Sequence, residues 1–186
     1  MSDTKEQFET VIRQCRNIYA QKLKDYGASW RIMRPESITD QILIKAKRIR
    51  SLEIKQESKI KEGITPEFTG IANYGVIGLI QLALGFSDYP DMDVEKALEL
   101  YDKYMTDTKE LMYAKNHDYD EAWRLMRVSS YTDLILTKLN RIKEIENNKG
   151  QVLISEGIDA NYQDIINYSL FGLIKLTFES QQSAIN

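Results

Sequence analysis

Lys22-Leu23-Lys24-Asp25-Tyr26-Gly27-Ala28-Ser29-Trp30-Arg31-Ile32-Met33-Arg34 returns 93 residues later as Lys115-Asn116-His117-Asp118-Tyr119-Asp120-Glu121-Ala122-Trp123-Arg124-Leu125-Met126-Arg127. The same shift gives 16 identities in the 32 positions from Lys22 to Glu53. A shift of 94 then aligns Ile71, Asn73, Tyr74, Gly78, Leu79, Ile80 and Leu82 with Ile165, Asn167, Tyr168, Gly172, Leu173, Ile174 and Leu176. One inserted residue in the connection between the two blocks accounts for the change, as loops tolerate. Half identity over such a window marks an internal repeat, so the chain reads as two copies of one unit, residues 1–88 and 89–186.

Each copy reads as three helices. The first carries an apolar stripe of period 3.6 through Phe8, Val11, Ile12, Cys15, Ile18 and Tyr19, answered by Ala97, Leu98, Tyr101, Tyr104, Met105, Leu111 and Met112. The second is expected to open at Ser37, with Asp40 closing a capping box, and its copy at Ser130 with Asp133. The third is expected to open at Thr65-Pro66-Glu67, with Asp159 in the Thr65 role in copy two. From Ile71 to Leu84 it is apolar nearly all round, which places it at the centre of its unit. Pro35, Pro66 and Pro90 are read as lying between helices. The expected fold is all-α: a bundle of two tandem three-helix repeats sharing one core about an approximate internal two-fold axis.

Composition narrows the function. Nine glycines and three prolines in 186 residues argue against an all-β fold. The net charge of −3 carries no strong nucleic-acid signal. A single cysteine fits a reducing compartment, and a single histidine excludes a multi-histidine metal site. The polar start Met1-Ser2-Asp3-Thr4-Lys5-Glu6 reads as no signal peptide, and the apolar run Ile71–Leu84 is too short for a membrane span. A cytoplasmic protein without a membrane partner is expected. There is no GxxxxGK[ST] and no GxGxxG.

Packing accounts for the apolar matches between copies but not for the charged and amide ones. At about 100° per residue Lys45 falls inside the arc of Ile38, Ile42, Ile49 and Leu52, flanked by Arg48 and Glu53. Lysine is rarely buried alone, so Lys45 reads either as a structural ion pair with Glu53 or as an inward cation for a phosphate, with Glu53 holding the lysine or a metal. Lys138, Arg141 and Glu146 repeat the set. Asp40 and Asp133 read as caps or as metal carboxylates. Asn73-Tyr74 and Asn167-Tyr168 place an amide on an apolar helix, which must bridge to a backbone group or read a base or sugar. In the connecting loop, Asp25, Tyr26, Trp30, Arg31 and Arg34 face the same choice as Asp118, Tyr119, Trp123, Arg124 and Arg127: a docked anchor, or aromatics and arginines suited to a nucleotide.

Lys-x-x-Asp-Tyr near a Trp, then Lys-x-x-Arg-Ile on a helix, then Asn-Tyr on an apolar helix, resembles the nucleotide-modification-associated domain family, first catalogued as a domain of unknown function. The resemblance covers both copies. More distantly the chain is similar to the all-α nucleoside triphosphate pyrophosphatases of the MazG and dimeric dUTPase group, which hold Mg²⁺ with EExxE on one helix and ExxD on the next. This resemblance implies a nucleotide partner and Mg²⁺. It also implies hydrolysis of a (deoxy)nucleoside triphosphate to the monophosphate, and the inward sets Lys45, Arg48, Glu53 and Lys138, Arg141, Glu146 read from helical angle are the catalytic candidates for it. The chain departs from that pattern. It has no EExxE, and its ExxD is split between Glu67, with Gly70, and Asp164, with Asn161. Asp40, Glu67, Asp133 and Asp164 are the metal candidates that remain, with Glu62 and Glu156 beside them. The alternative is a catalytically silent helical module that binds a nucleotide or a protein partner, with a homodimer allowed by either reading.

Overall fold

The structure is a computed structural model that describes residues 2–55, 60–119, 121–149 and 157–179; the side chains of residues 2, 60–62 and 117–119 fall outside that description. Among the described residues there are six α-helices and no strand: α1 Ser2–Tyr26, α2 Pro35–Lys55, α3 Ile60–Leu84, α4 Val94–Tyr119, α5 Val128–Asn147 and α6 Ile158–Ile174. Short 3₁₀ turns, Ser29–Ile32 and Ala122–Leu125, link the first and second helix of each copy, and a π-helical turn Lys175–Glu179 follows α6. The join at 88/89 lies in the connection between α3 and α4.

Each helix of copy one meets its counterpart antiparallel, and the repeated residues make mirrored contacts. Between α1 and α4, Arg16 pairs with Asp102 at 2.6 Å, and Lys109, the Arg16 counterpart, pairs with Glu9 at 2.5 Å. Between α2 and α5, Thr39 donates to Glu146 at 3.0 Å and Thr132 donates to Glu53 at 2.8 Å. Two further ion pairs repeat across the same helices, Arg50 with Asp133 and Lys143 with Asp40. Between α3 and α6, Phe68 lies over Gly172 and its counterpart Tyr162 lies over Gly78. All three pairings require one approximate two-fold axis. Glycine at Gly75 and Gly78 lets α3 and α6 close up: a Cβ there would stand 2.6 Å from Ile166 Cγ1 and 2.7 Å from the Tyr162 ring. The core is built from this α2–α3–α5–α6 centre, with α1 and α4 laid against it.

Several local expectations need correction. Helix α2 opens at Pro35, two residues before Ser37, because proline at the first turn loses no intrahelical bond. Asp40 is exposed and pairs with Lys143 at 2.9 Å rather than capping. Pro66 lies inside α3, which starts at Ile60, whereas α6 starts at Ile158 with Gly157 as its N-cap and Asp159 in its first turn. Ile18 is 41% exposed and leaves the α1 stripe. Gly63–Leu84 is long and apolar enough by length and composition to cross a membrane, and 67% of its apolar window is buried by the neighbouring helices.

Lys45 does not pair with Glu53. Glu53 turns across the two-fold to Thr132, as Glu146 turns to Thr39, and burial holds both carboxyls above the usual glutamate range while the threonine hydroxyls pull them part of the way back. A carboxyl with a raised folded-state pKa costs stability once ionised. That cost is absent below the ordinary value of about 4.3, grows as pH rises from there to the folded-state value, and is complete above it. The double variant Glu53→Gln/Glu146→Gln keeps an acceptor for each threonine and removes the charge. Its stability relative to the parent is expected to increase from pH 4 to pH 7 in denaturant titrations; a difference that does not change with pH would contradict this account.

Candidate functional site

The repeated loop and the third helix of copy one enclose a cavity of about 490 Å³. Lys22, Tyr26 and Trp30 line it from the α1 end and the 3₁₀ turn; Gly70, Asn73, Tyr74 and Ile77 line it from one face of α3. The volume is that of an ordinary small-molecule pocket. α1 ends here because Gly27 takes φ +62°, with its N–H on Leu23 O, and turns the chain into the 3₁₀ segment that carries Trp30. The Trp30 indole N–H lies close to the Tyr19 hydroxyl but makes no hydrogen bond of good geometry.

Lys45 approaches the cavity from α2. Its Cε would be 2.9 Å from a Cβ at Gly70, and its Nζ lies 5.9 Å from the Tyr74 ring centre. Lys45 and Arg48 share Glu67, at 3.6 and 2.9 Å. Copy two uses the other half of the split ExxD: Lys138 and Lys115 share Asp164, at 2.7 and 3.3 Å. Arg141 pairs with Glu144 at 3.1 Å.

One arginine of each loop turns inward. Arg31 is 4% exposed; its Nε donates to Asp91 at 2.8 Å, and its Nη1 donates to Gly85 O at 2.7 Å and to Gln81. Arg124 grips Glu121, Glu179, Thr4 and Gln7. Gln81 completes the loop anchor by donating to the carbonyls of Trp30, Arg31 and Met33, and Lys175, at the equivalent position, does the same for Arg124 and Met126. Reading identities between copies missed this anchor because Gln81 and Lys175 are different residues doing one job. Arg34, Arg127 and Asp25 are exposed, and Tyr26 is 71% exposed at the cavity mouth. The side chains of Asp118 and Tyr119, and Glu62, Glu156 and His117 with them, lie outside the described residues.

Asn73 lines the cavity, but its amide is committed: Nδ2 donates to Cys15 O at 3.1 Å and Oδ1 accepts from Tyr101 at 2.7 Å. Asn167 Oδ1 is buried without a partner, and the copy-one counterpart of Tyr101 is Phe8, which has no hydroxyl to offer. Trp123 packs against Phe8 and lies flat on Phe171, the counterpart of Ile77. Tyr168 packs against the edge of Phe171. Burial pushes the Cys15 thiol up to about 12, which leaves it an unreactive core group.

The four metal candidates do not fit a magnesium cage. Asp40, Glu67, Asp133 and Asp164 sit on four different helices, each against a lysine or arginine. Among the described residues no three His, Cys, Asp or Glu side chains come together. A carboxylate already neutralised by a cation is a poor ligand for a hard dication, which takes charged oxygens without competing ammonium groups. What copy one offers instead is an aromatic-lined cavity with cations at its edge.

A family model described as nucleotide modification associated domain 1 matches the chain twice, over residues 22–82 and 115–176. No curated protein and no solved structure matches the chain. The two matched segments run from Lys22 to Leu82 and from Lys115 to Leu176, and so coincide with the internal repeat.

Proposed function

Because the chain belongs to the nucleotide modification associated domain 1 family and carries that domain twice, we propose that it binds a nucleotide in the copy-one cavity and does not hydrolyse it. One observation carries this reading: Lys22, Tyr26, Trp30, Asn73 and Tyr74, residues that recur between the copies, line a single cavity. The aromatic walls suit a base, since stacking on an aromatic side chain contributes about 1–3 kcal/mol per base whatever its identity. Lys22 and Lys45 supply cations for the phosphates, whose charge would otherwise oppose burial. Arg48 keeps Glu67 neutralised when Lys45 turns to the ligand.

Binding is preferred to hydrolysis because the acids are dispersed. Metal-dependent cleavage of a phosphoanhydride needs carboxylates free to hold the metal and to orient a water. Glu67, which shares the Lys45 ammonium at the cavity edge, is held by two cations. The test is titration with nucleoside mono-, di- and triphosphates, followed by calorimetry and by chromatography of the products. Saturable binding with intact nucleotide recovered supports the proposal. Release of pyrophosphate or phosphate would restore the hydrolytic reading, and no binding by any nucleotide would remove both.

Tryptophan emission gives an independent readout. Trp30 lines the cavity, whereas Trp123 is stacked on Phe171. Nucleotide is expected to quench or shift about half of the emission, since only one of the two tryptophans faces the ligand. A flat signal at saturating nucleotide would leave Trp30 as an anchor alone.

A further inference from the structure

Of the four residues that α3 gives to the cavity, Gly70, Asn73, Tyr74 and Ile77, two differ between the copies, and both differences point the same way. The offset of 94 residues places Asp164 where copy one has Gly70, and Phe171 where copy one has Ile77. Gly70, Tyr74 and Ile77 share one face of α3, two helical turns long. In copy two the Asp164 carboxylate reaches both lysines of its unit, with Oδ1 3.3 Å from Lys115 Nζ and Oδ2 2.7 Å from Lys138 Nζ. The Phe171 ring lies on Trp123 with centres 4.5 Å apart and planes 8° apart. An anion on two lysines and a flat ring on a tryptophan are what a bound nucleotide would present.

We propose that copy two is a self-occupied form of the site, with Asp164 standing in for the ligand's anionic group and Phe171 for its aromatic ring. Copy one is then the open form, and its ligand sets an aromatic ring against Trp30 and an anionic group between Lys22 and Lys45, above Gly70. This rests on the nucleotide reading for the ring, but the anion position stands on the lysine geometry alone. Lys22 has no acid partner among the described residues, and Lys45 lies across the bare face of Gly70 toward Glu67. Seven residues of helix set the two positions about 10 Å apart along α3, a span within the length of a nucleoside phosphate.

The substitution that closes copy one is already present in copy two. Gly70→Asp supplies the missing carboxylate to Lys22 and Lys45, and the atoms nearest its Cβ belong to the flexible end of Lys45. The reciprocal variant Asp164→Asn removes the carboxylate charge from Lys115 and Lys138, and Asp164→Gly/Phe171→Ile also clears the ring position. Calorimetry would use inorganic pyrophosphate as the anion alone, the four common ribonucleosides as the ring alone, and their 5′-monophosphates as both. The parent is expected to bind one equivalent of monophosphate. Gly70→Asp should lose it by about tenfold or more for each charge-assisted hydrogen bond forfeited. Asp164→Asn should bind a second equivalent of pyrophosphate, and the double variant a second equivalent of monophosphate. If the double variant fails to fold, Asp164→Asn still decides the anion half, because Phe171 is intact.

The outcomes separate the two claims. Monophosphate bound equally by the parent and by Gly70→Asp would overturn the anion position and leave the nucleotide reading standing. Pyrophosphate bound by the parent and lost in Gly70→Asp, with no nucleotide bound, would remove the nucleotide and keep the anion site. A parent that binds neither probe, or an Asp164→Asn variant with no second equivalent, would refute the idea of a self-occupied copy.

Discussion

Replacing Tyr162 by alanine is expected to cost about 3–5 kcal/mol, the range for truncating a fully buried aromatic side chain. In a chain of this length that is a fall in Tm on the order of 10 °C. Tyr162 is 0% exposed, its hydroxyl shares a hydrogen bond with Thr39 at 2.8 Å, and its ring lies over Gly78. The same ring decides the sign of a second substitution. In the parent, Gly78→Ala puts a Cβ 2.7 Å from the Tyr162 ring. Overpacking of about 1–3 kcal/mol then outweighs or cancels the helix propensity gain of about 1 kcal/mol. In the Tyr162→Ala background the ring atoms nearest the new methyl are gone, and Gly78→Ala should stabilise by that propensity gain. A denaturant double-mutant cycle measures the reversal. Additive effects would mean that α3 and α6 are not in the close contact described here.

The mirrored contact supplies a control. A Cβ at Gly172 would meet the Phe68 ring at 3.2–3.3 Å, half an ångström further than at Gly78. The two-fold is therefore approximate in energy as well as in sequence. Phe68 lacks the hydroxyl that ties Tyr162 to Thr39, so its ring has more freedom to give way.

How much of this was legible follows from what repetition encodes. The identities between copies carried the two-fold, because residues at a mirrored contact must satisfy the same packing twice, while the 3.6 period gave the helices and the all-round apolar run Ile71–Leu84 put the third helix at the centre. Single-sequence cues did worse at the ends of helices. Ser37 and Pro66 look like start signals, but the packing of α2 and α3 carries those helices further toward their N-termini than either cue indicates. The loop was rightly marked as more than a connector, yet the direction of Arg31 was hidden. Its partners Gln81, Gly85 and Asp91 have no identical counterparts in copy two.

The same limit explains the Lys45 pairing. Helical angle placed Lys45 and Glu53 on one side of α2, and both do point inward. Angle alone cannot say that the axis brings Thr132 to Glu53 and leaves Lys45 to Glu67 on the next helix. The sequence did hold the decisive clue, the split of the acidic pair into Glu67 and Asp164. Read as a broken metal motif, it suggested loss. In the structure each acid meets the lysine of its own copy from a different turn of the third helix, Glu67 from one turn before Gly70 and Asp164 from the Gly70 position itself.

Arg31→Met is expected to be the most damaging change in the loop, and it discriminates between the two roles that the sequence left open for that arginine. If Arg31 served a phosphate, its removal would spare the fold and abolish binding. Its guanidinium instead closes the 3₁₀ turn onto the end of α3, through Gln81 and Gly85 O, and onto the following connection through Asp91. Removing it strands the Gln81 carbonyl oxygen on a side chain that is 1% exposed, which costs about 1–3 kcal/mol. Loss of the ion pair adds a smaller amount, because Asp91 keeps a third of its side chain in water and rehydrates. A total of about 3 kcal/mol is expected by denaturant titration, while the variant should keep its nucleotide affinity at temperatures where it is fully folded. Arg34→Met, on the exposed side of the same loop, should change stability by less than about 0.5 kcal/mol. An Arg31→Met protein as stable as its parent but unable to bind nucleotide would show that the arginine leaves its anchor for the ligand, and the cavity edge would then have to be redrawn to include it.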